Sequence, residues 1–249
     1  MFDWLQRLRP TPRTIDPDLW RATRAAVPWL SALDDARATR LESLAARFLH
    51  EKAITPVGEL RLDPQQRCTL AALCCLPLLE FGARGLRGWS QLIVYPDAFR
   101  VNRSHVDAAG VLHEWEDELI GEAWDAGPVI LSWADVAADC DDPRAGFCVA
   151  VHEIAHKLDV LDGVLDGTPP LPSAWQRGWA RDFQQAFDAL AADVDAGRET
   201  AIDGYAAEAP EEFFAVASEY HFSDPATLRA AMPKVAAHLE RFYGASPFA

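Results

Sequence analysis

The chain has 249 residues, half of them apolar and about a quarter charged, which suits an ordinary folded protein of one large domain or two small ones. Thirty-eight acidic residues against 23 basic ones leave a formal charge of −15, a field that repels nucleic-acid phosphates and argues against direct DNA or RNA binding. No apolar run approaches the roughly 18 residues that span a bilayer, and "MFDWLQRLRPTPR" at the start has no apolar h-region or small-residue cleavage site, so a soluble, cytoplasmic protein without membrane partners is expected.

The first third reads as helical. "ALDDARATRLESLAARFLHEK" carries apolar residues at helical spacing, and "LDPQQRCTLAALCCLPLLEFG" follows with Asp63 as N-cap before Pro64. Five cysteines, an odd number without C-x-x-C spacing, argue for a reducing compartment; Cys74 and Cys75 read as buried small hydrophobes, and Cys148, close to the first histidine of the motif below, as core packing. "WSQLIVYPDAF" (Trp89 to Phe99), "GVLHEWEDEL" (Gly110 to Leu119) and "PVILSW" (Pro128 to Trp133) predict three strands, mostly antiparallel, with turns near Asn102–Ser104 and Asp125–Gly127. A helix follows, from near Pro143 to near Gly163, and then the loop "GVLDGTPPLP". Ser173 is expected to cap a helix that stops near Gly197; Pro210 opens another, and "PATLRAAMPKVAAHLERFYG" forms the last. The class is α+β: a helical part over about 1–87, then a small mixed or antiparallel sheet and the remaining helices over about 88–249, in a single domain spanning 1–249.

"VHEIAHKLDVLDG" (Val151 to Gly163) holds two of the seven histidines, four residues apart. On a helix His152 and His156 project to one side, as two ligands of a tetrahedral zinc require. Glu153 lies about 100° around, able to reach a water without being a ligand. Three sources of a third ligand compete. Asp162 lies six residues past His156, but the pattern that uses it needs a glycine where this chain has Asp159. Glu208, Glu211, Glu212 and Glu219 lie on a later helix, and His221 follows them. Spacing alone does not choose.

The motifs "LIVYPDAF", "GEAWDAGPVILSW", "HEIAHKLD", "DGTPPL" and "IDGYAAEAPEEFFAVASEYHF", in that order over most of the length, resemble the Mlc titration factor A family of zinc-dependent peptidases. The resemblance implies one Zn2+ per chain held by His152, His156 and Glu212, the glutamate seven residues after Tyr205. It also implies a gluzincin-like catalytic fold similar to the anthrax lethal factor protease domain, with Tyr205 beside the metal. Ile154 stands where an aromatic is usual, and Phe213 where a cysteine is frequent; neither is a proposed ligand.

With three positions filled, the fourth is open to water, as in a catalytic zinc site. Glu153 then serves as general base and Tyr205 as a donor to the developing oxyanion. Asp159 and Glu219 are expected to accept from imidazole nitrogens and fix their tautomers. "PVILSW" offers an edge where an extended substrate could add as a strand, and the loop after the site could act as a lid. His50, His105, His113 and His238 read as structural. The resemblance implies aminopeptidase-like cleavage of a peptide or small protein substrate. The alternative reading is a regulatory protein that sequesters a transcriptional repressor of the Mlc type, a basic DNA-binding domain being a fitting partner for an acidic chain.

Overall fold

Asp16, Asp34 and Asp63 start helices by the same means, a carboxylate that accepts from backbone N–H groups left unpaired in the first turn. Asp16 accepts from Asp18 N and Leu19 N, both at 3.0 Å, at the head of α1 (Pro17–Ala26), which the short α2 (Pro28–Ser31) follows. Asp34 accepts from Arg37 N at 2.9 Å to open α3 (Asp35–Glu51). Asp63 and Gln66 exchange bonds of 2.8 Å in a capping box on α4 (Pro64–Cys75). From Cys68 onward α4 is buried on every side, so Cys68, Cys74 and Cys75 are free thiols in the core, as their apolar surroundings predict. The structure, a computed structural model, describes residues 14–97, 100–106, 112–118 and 127–249.

The sheet beside these helices departs from expectation. Strands β1 (Ala53–Pro56), β2 (Gln91–Tyr95) and β5 (Val129–Ser132) lie in the order β1-β2-β5, and both pairings are parallel. Parallel neighbours need a crossover, and α4 with the 3-10 turns after it carries the chain from β1 to β2. β1 escapes the sequence reading because "AITP" is four residues long, lies at an edge and ends in proline, so it shows neither alternation nor a β-branched run. The stretch read as a turn near Asn102–Ser104 belongs instead to β3 (Arg100–Val106). It pairs antiparallel with β4 (Leu112–Glu118) in a separate ladder running from Arg100↔Glu118 to Val106↔Leu112. The mainly helical α+β class stands, with an all-parallel three-stranded sheet in place of a mostly antiparallel one. Residues 1–13, Phe99, Gly110, Leu119 and Asp125 lie outside the described residues.

β5 runs directly into α5 (Trp133–Asp141), a helix the sequence reading did not assign, whose start is held by Ser132 Oγ accepting from Asp135 N at 3.2 Å. The motif helix α6 (Val149–Asp159) begins six residues later than expected, and a 3-10 turn, Val160–Asp162, leads to Gly163. Ser173 is the first residue of α7 (Ser173–Asp195) and not its cap. After a 3-10 turn, Gly204–Ala207, come α8 (Pro210–Ser223), α9 (Pro225–Ala231) and α10 (Pro233–Tyr243). The expected single last helix is two, because the Pro233 ring cannot donate to the preceding turn.

α8 is the central post, buried continuously from Glu212 to Ser223. α6 packs between it and α4, while Trp179 stacks on Phe183 at 4.1 Å and meets Phe214 and Phe242 edge-on, joining α7, α8 and α10. The Trp29 indole donates to Phe222 O at 3.0 Å, so the N-terminal helices are fastened to the same post. Among the described residues, no helix is long and apolar enough to cross a membrane.

Candidate metal centre

Two carboxylates on a helix buried all round are unusual, since a glutamate leaves water only when something compensates its charge. Glu212 and Glu219, two turns apart on α8, are 8% and 5% exposed, and both face the histidines of α6. Glu212 Oε2 lies 3.2 Å from His152 Nε2 and 3.5 Å from His156 Nε2, and the two Nε2 atoms are 3.1 Å apart. These three side chains are the metal-capable group found among the described residues.

The chemistry of the donors fits a cation. Three electron-pair donors converge, and Glu212 Oε2 is buried without a hydrogen-bond partner. In water such an oxygen would be solvated; here only a positive charge between the three atoms compensates for its burial. Protons on the imidazoles also supply such a charge. Burial opposes charge on His152, but the Glu219 and Glu212 carboxylates outweigh it and hold the imidazole well above its ordinary range. Burial likewise opposes ionisation of Glu212, yet the two imidazoles hold its carboxyl down at about 2.

Glu219 has two tasks. Its Oε2 lies 3.3 Å from His152 Nδ1, the contact expected to fix a tautomer, and its Oε1 accepts from Cys148 N at 3.1 Å, at the head of α6. Asp159 lies at the other end of α6. Its Oδ2 accepts from Gly167 N at 2.7 Å, whereas Asp159 Oδ1 and His156 Nδ1, one turn apart on α6, are both buried without a hydrogen-bond partner. Burial pushes the Asp159 carboxyl up to about 7 against the pull of the Gly167 N–H.

That bond bears on the loop expected to act as a lid. Gly167 O accepts from the Trp179 indole at 3.1 Å, and a Cβ at Gly167 would meet Pro210 O and, at 2.8 Å, Pro210 C. The middle of the loop is thus pinned to α6, α7 and the first residue of α8, two residues before Glu212. Gly167 has φ +77°, where an L side chain is strained. Gly167→Ala is expected to cost about 1–3 kcal/mol and to loosen the seat of Glu212. Chemical denaturation measures the loss, and an unchanged midpoint would show that the loop is not clamped to α8.

Glu153 is half-buried beside the ligand atoms. Burial raises its carboxyl pKa, and the neighbouring imidazoles oppose the rise. Tyr205 lies in the 3-10 turn before α8, fixed by Asp203 Oδ1 accepting from its N–H at 2.9 Å, and its ring centroid is 6.3 Å from that of His152. Burial, then the charge of Glu212, pushes the phenol pKa up, so the hydroxyl keeps its proton and remains a donor.

The rival ligands lie elsewhere. Asp162 is exposed and accepts from Val164 N; Glu208 is exposed and Glu211 only half-buried. His221 is buried on α8 but stacks on Tyr243, ring centroids 5.6 Å apart. His238 bonds Asp182 at 3.0 Å and His50 is exposed near the end of α3; the side chains of His105 and His113 lie outside the described residues. One carboxylate behind the site escaped the sequence reading. Asp139 of α5 accepts from Val149 N, the first N–H of α6, at 2.8 Å. The Ser132-x-x-Asp135 start of α5 was the signal that would have revealed its helix.

A family described as glucose-regulated metallo-peptidase M90 matches residues 2–244. A protein of Escherichia fergusonii named Mlc titration factor A is 36% identical over 250 residues, covering 99% of this chain and 93% of its own. Proteins of the same name from Serratia proteamaculans and Edwardsiella ictaluri are 38% and 36% identical, covering 90% and 99% of this chain and 86% and 94% of theirs.

Proposed function

The chain belongs to the glucose-regulated metallo-peptidase M90 family, and on that premise we propose that it is a zinc-dependent peptidase cleaving peptide bonds in the manner of an aminopeptidase. The observation that carries this reading is the convergence of two imidazole nitrogens and one carboxylate oxygen within 3.5 Å of one another on two buried helices. His152, His156 and Glu212 would hold one Zn2+, whose preference for nitrogen with a single carboxylate suits this set. When bound, the ion supplies Lewis acidity for activating water and polarising a carbonyl.

The remaining steps belong to the protein's own groups. Glu153 takes the proton of the attacking water and later passes it to the leaving nitrogen, a task for which a carboxyl pKa raised by burial is suited. The protonated Tyr205 hydroxyl donates to the oxygen on which negative charge develops. Glu219 holds the His152 ring through Nδ1. Among the described residues β5 has β2 on one side and no strand on the other, which leaves an edge for an extended peptide. An aminopeptidase also needs a carboxylate for the free amine. Glu219 is committed to His152 and Cys148 N, leaving Glu208 or Glu211 for that part.

The name shared by the relatives, Mlc titration factor A, supports a second and compatible reading, in which the chain binds a repressor of the Mlc type. No part of either reading involves nucleic acid, and both suit a cytoplasmic protein.

Zinc titration of metal-free protein against a competing chelator tests the metal. One zinc per chain is expected. The sign of its pH dependence follows from His152: an imidazole pKa raised in the metal-free protein means that zinc must displace a proton. Affinity therefore falls as pH falls, by about tenfold per unit below that pKa. Failure to take up zinc at either pH 6.5 or pH 7.5 would leave repressor binding as the leading account.

A further inference from the structure

We propose that Asp139 is a positioning residue for the metal centre, holding the first N–H of α6 so that one oxygen of Glu219 stays on His152. The inference rests on the zinc reading above and extends it to a helix that supplies no ligand.

α6 starts without a cap of its own: Cys148, its N-cap residue, offers no side-chain hydrogen bond to the first turn. The unpaired N–H groups of that turn must find acceptors elsewhere, because the helix start is largely withdrawn from water, Cys148 being buried and Val149 half-buried. Two neighbouring helices provide them. Asp139 Oδ2, from α5, accepts from Val149 N at 2.8 Å, and Glu219 Oε1, from α8, accepts from Cys148 N at 3.1 Å. Successive N–H groups at the positive end of the helix dipole thus each have a separate carboxylate.

The division of labour matters because Glu219 has only two oxygens and the second is on His152 Nδ1. Without Asp139, Val149 N would be a part-buried donor lacking its acceptor. Glu219 is the neighbouring carboxylate able to relieve it. A Glu219 drawn towards the helix start gives up its hold on Nδ1, and the imidazole loses the bond that fixes its tautomer and direction. The closeness of the two acids is also felt electrostatically: burial pushes the Asp139 carboxyl up to about 6, the Val149 N–H pulls it down, and the charge of Glu219 adds to the rise.

Asp139→Ala and Asp139→Asn test this, the asparagine keeping an acceptor oxygen at the same reach. Zinc affinity is read by chelator competition, and the His152 Nδ1 proton of the metal-free protein by nitrogen-15 NMR. Asp139→Ala is expected to weaken zinc binding about tenfold or more, as loss of a partner behind a ligand does, and to speed exchange of the Nδ1 proton. Asp139→Asn should restore both. If Asp139→Ala does not fold, Asp139→Ser, one atom too short for the bond, takes its place. Unchanged zinc affinity and Nδ1 exchange in the alanine variant would overturn the proposal, as would an asparagine variant as impaired as the alanine. Wild-type protein that takes up no zinc overturns the metal reading instead, and the NMR comparison still decides the role of Asp139.

Discussion

Glu153→Gln is expected to lower kcat for peptide hydrolysis by about 10²–10⁴-fold, the contribution of a positioned general base, while zinc content stays at the wild-type value. The two effects separate because Glu153 is not among the three converging ligand side chains and glutamine keeps the shape of the side chain. The acid limb of the pH–rate profile should disappear with the same substitution. A base works deprotonated, so wild-type activity should climb with pH as the Glu153 carboxyl gives up its proton. Binding of a repressor, if the chain has that role, should survive. Turnover within a few-fold of wild type would remove Glu153 from the mechanism.

Which parts of the molecule the sequence displays follows from how far each signal reaches. Helix start signals are local, and α3, α4 and α8 stand close to where Asp34, Asp63 and Pro210 mark their starts. Strand partnership is not local. The parallel order rests on β1, whose four residues carry almost no pattern of their own, and on the crossover through α4 that joins it to β2. α5 escaped for a different reason: "WADVAADCDD" follows a strand without a Gly or Pro between them, so the change of period at Ser132 is the whole boundary signal.

At the site, the motif on α6 was legible because two histidines and a glutamate on one helix are fixed by helical geometry alone. The partner on α8 was not. Four glutamates within a dozen residues are equivalent in a string of letters, and the resemblance to a family, not spacing, singled out Glu212. Burial separates them in three dimensions: Glu212 and Glu219 face α6, while Glu208 and Glu211 remain at least partly in water. Asp159 shows the converse. Its place one turn after His156 invited a role on an imidazole, and one of its oxygens accepts from Gly167 N, because a loop eight residues further along the chain returns over the end of α6.

Glu212→Gln tests the other half of the site, the metal itself. The substitution keeps an oxygen near both imidazoles and removes the charge, so it isolates the electrostatic contribution. Loss of a partner behind a ligand weakens a metal by about 10–100-fold, and loss of a charged ligand should exceed that. The effect is visible in stability. Zinc at a hundred times its Kd stabilises the fold by about 2.7 kcal/mol, and a variant weakened by more than a hundredfold forfeits most of that at the same zinc concentration. In the metal-free state the comparison runs the other way. Glu212, held at about 2 by the imidazoles, contributes stability that is present above the pKa of an ordinary glutamate and is lost as pH falls through the folded value. Metal-free Glu212→Gln should therefore lack that acid-sensitive part, and its His152 should titrate at a lower pH, since one of the carboxylates that raise it is gone. Thermal unfolding with and without zinc reads both effects. Equal stabilisation by zinc in wild type and variant would mean that Glu212 holds no metal, and its burial between two imidazoles would then be a structural ion pair.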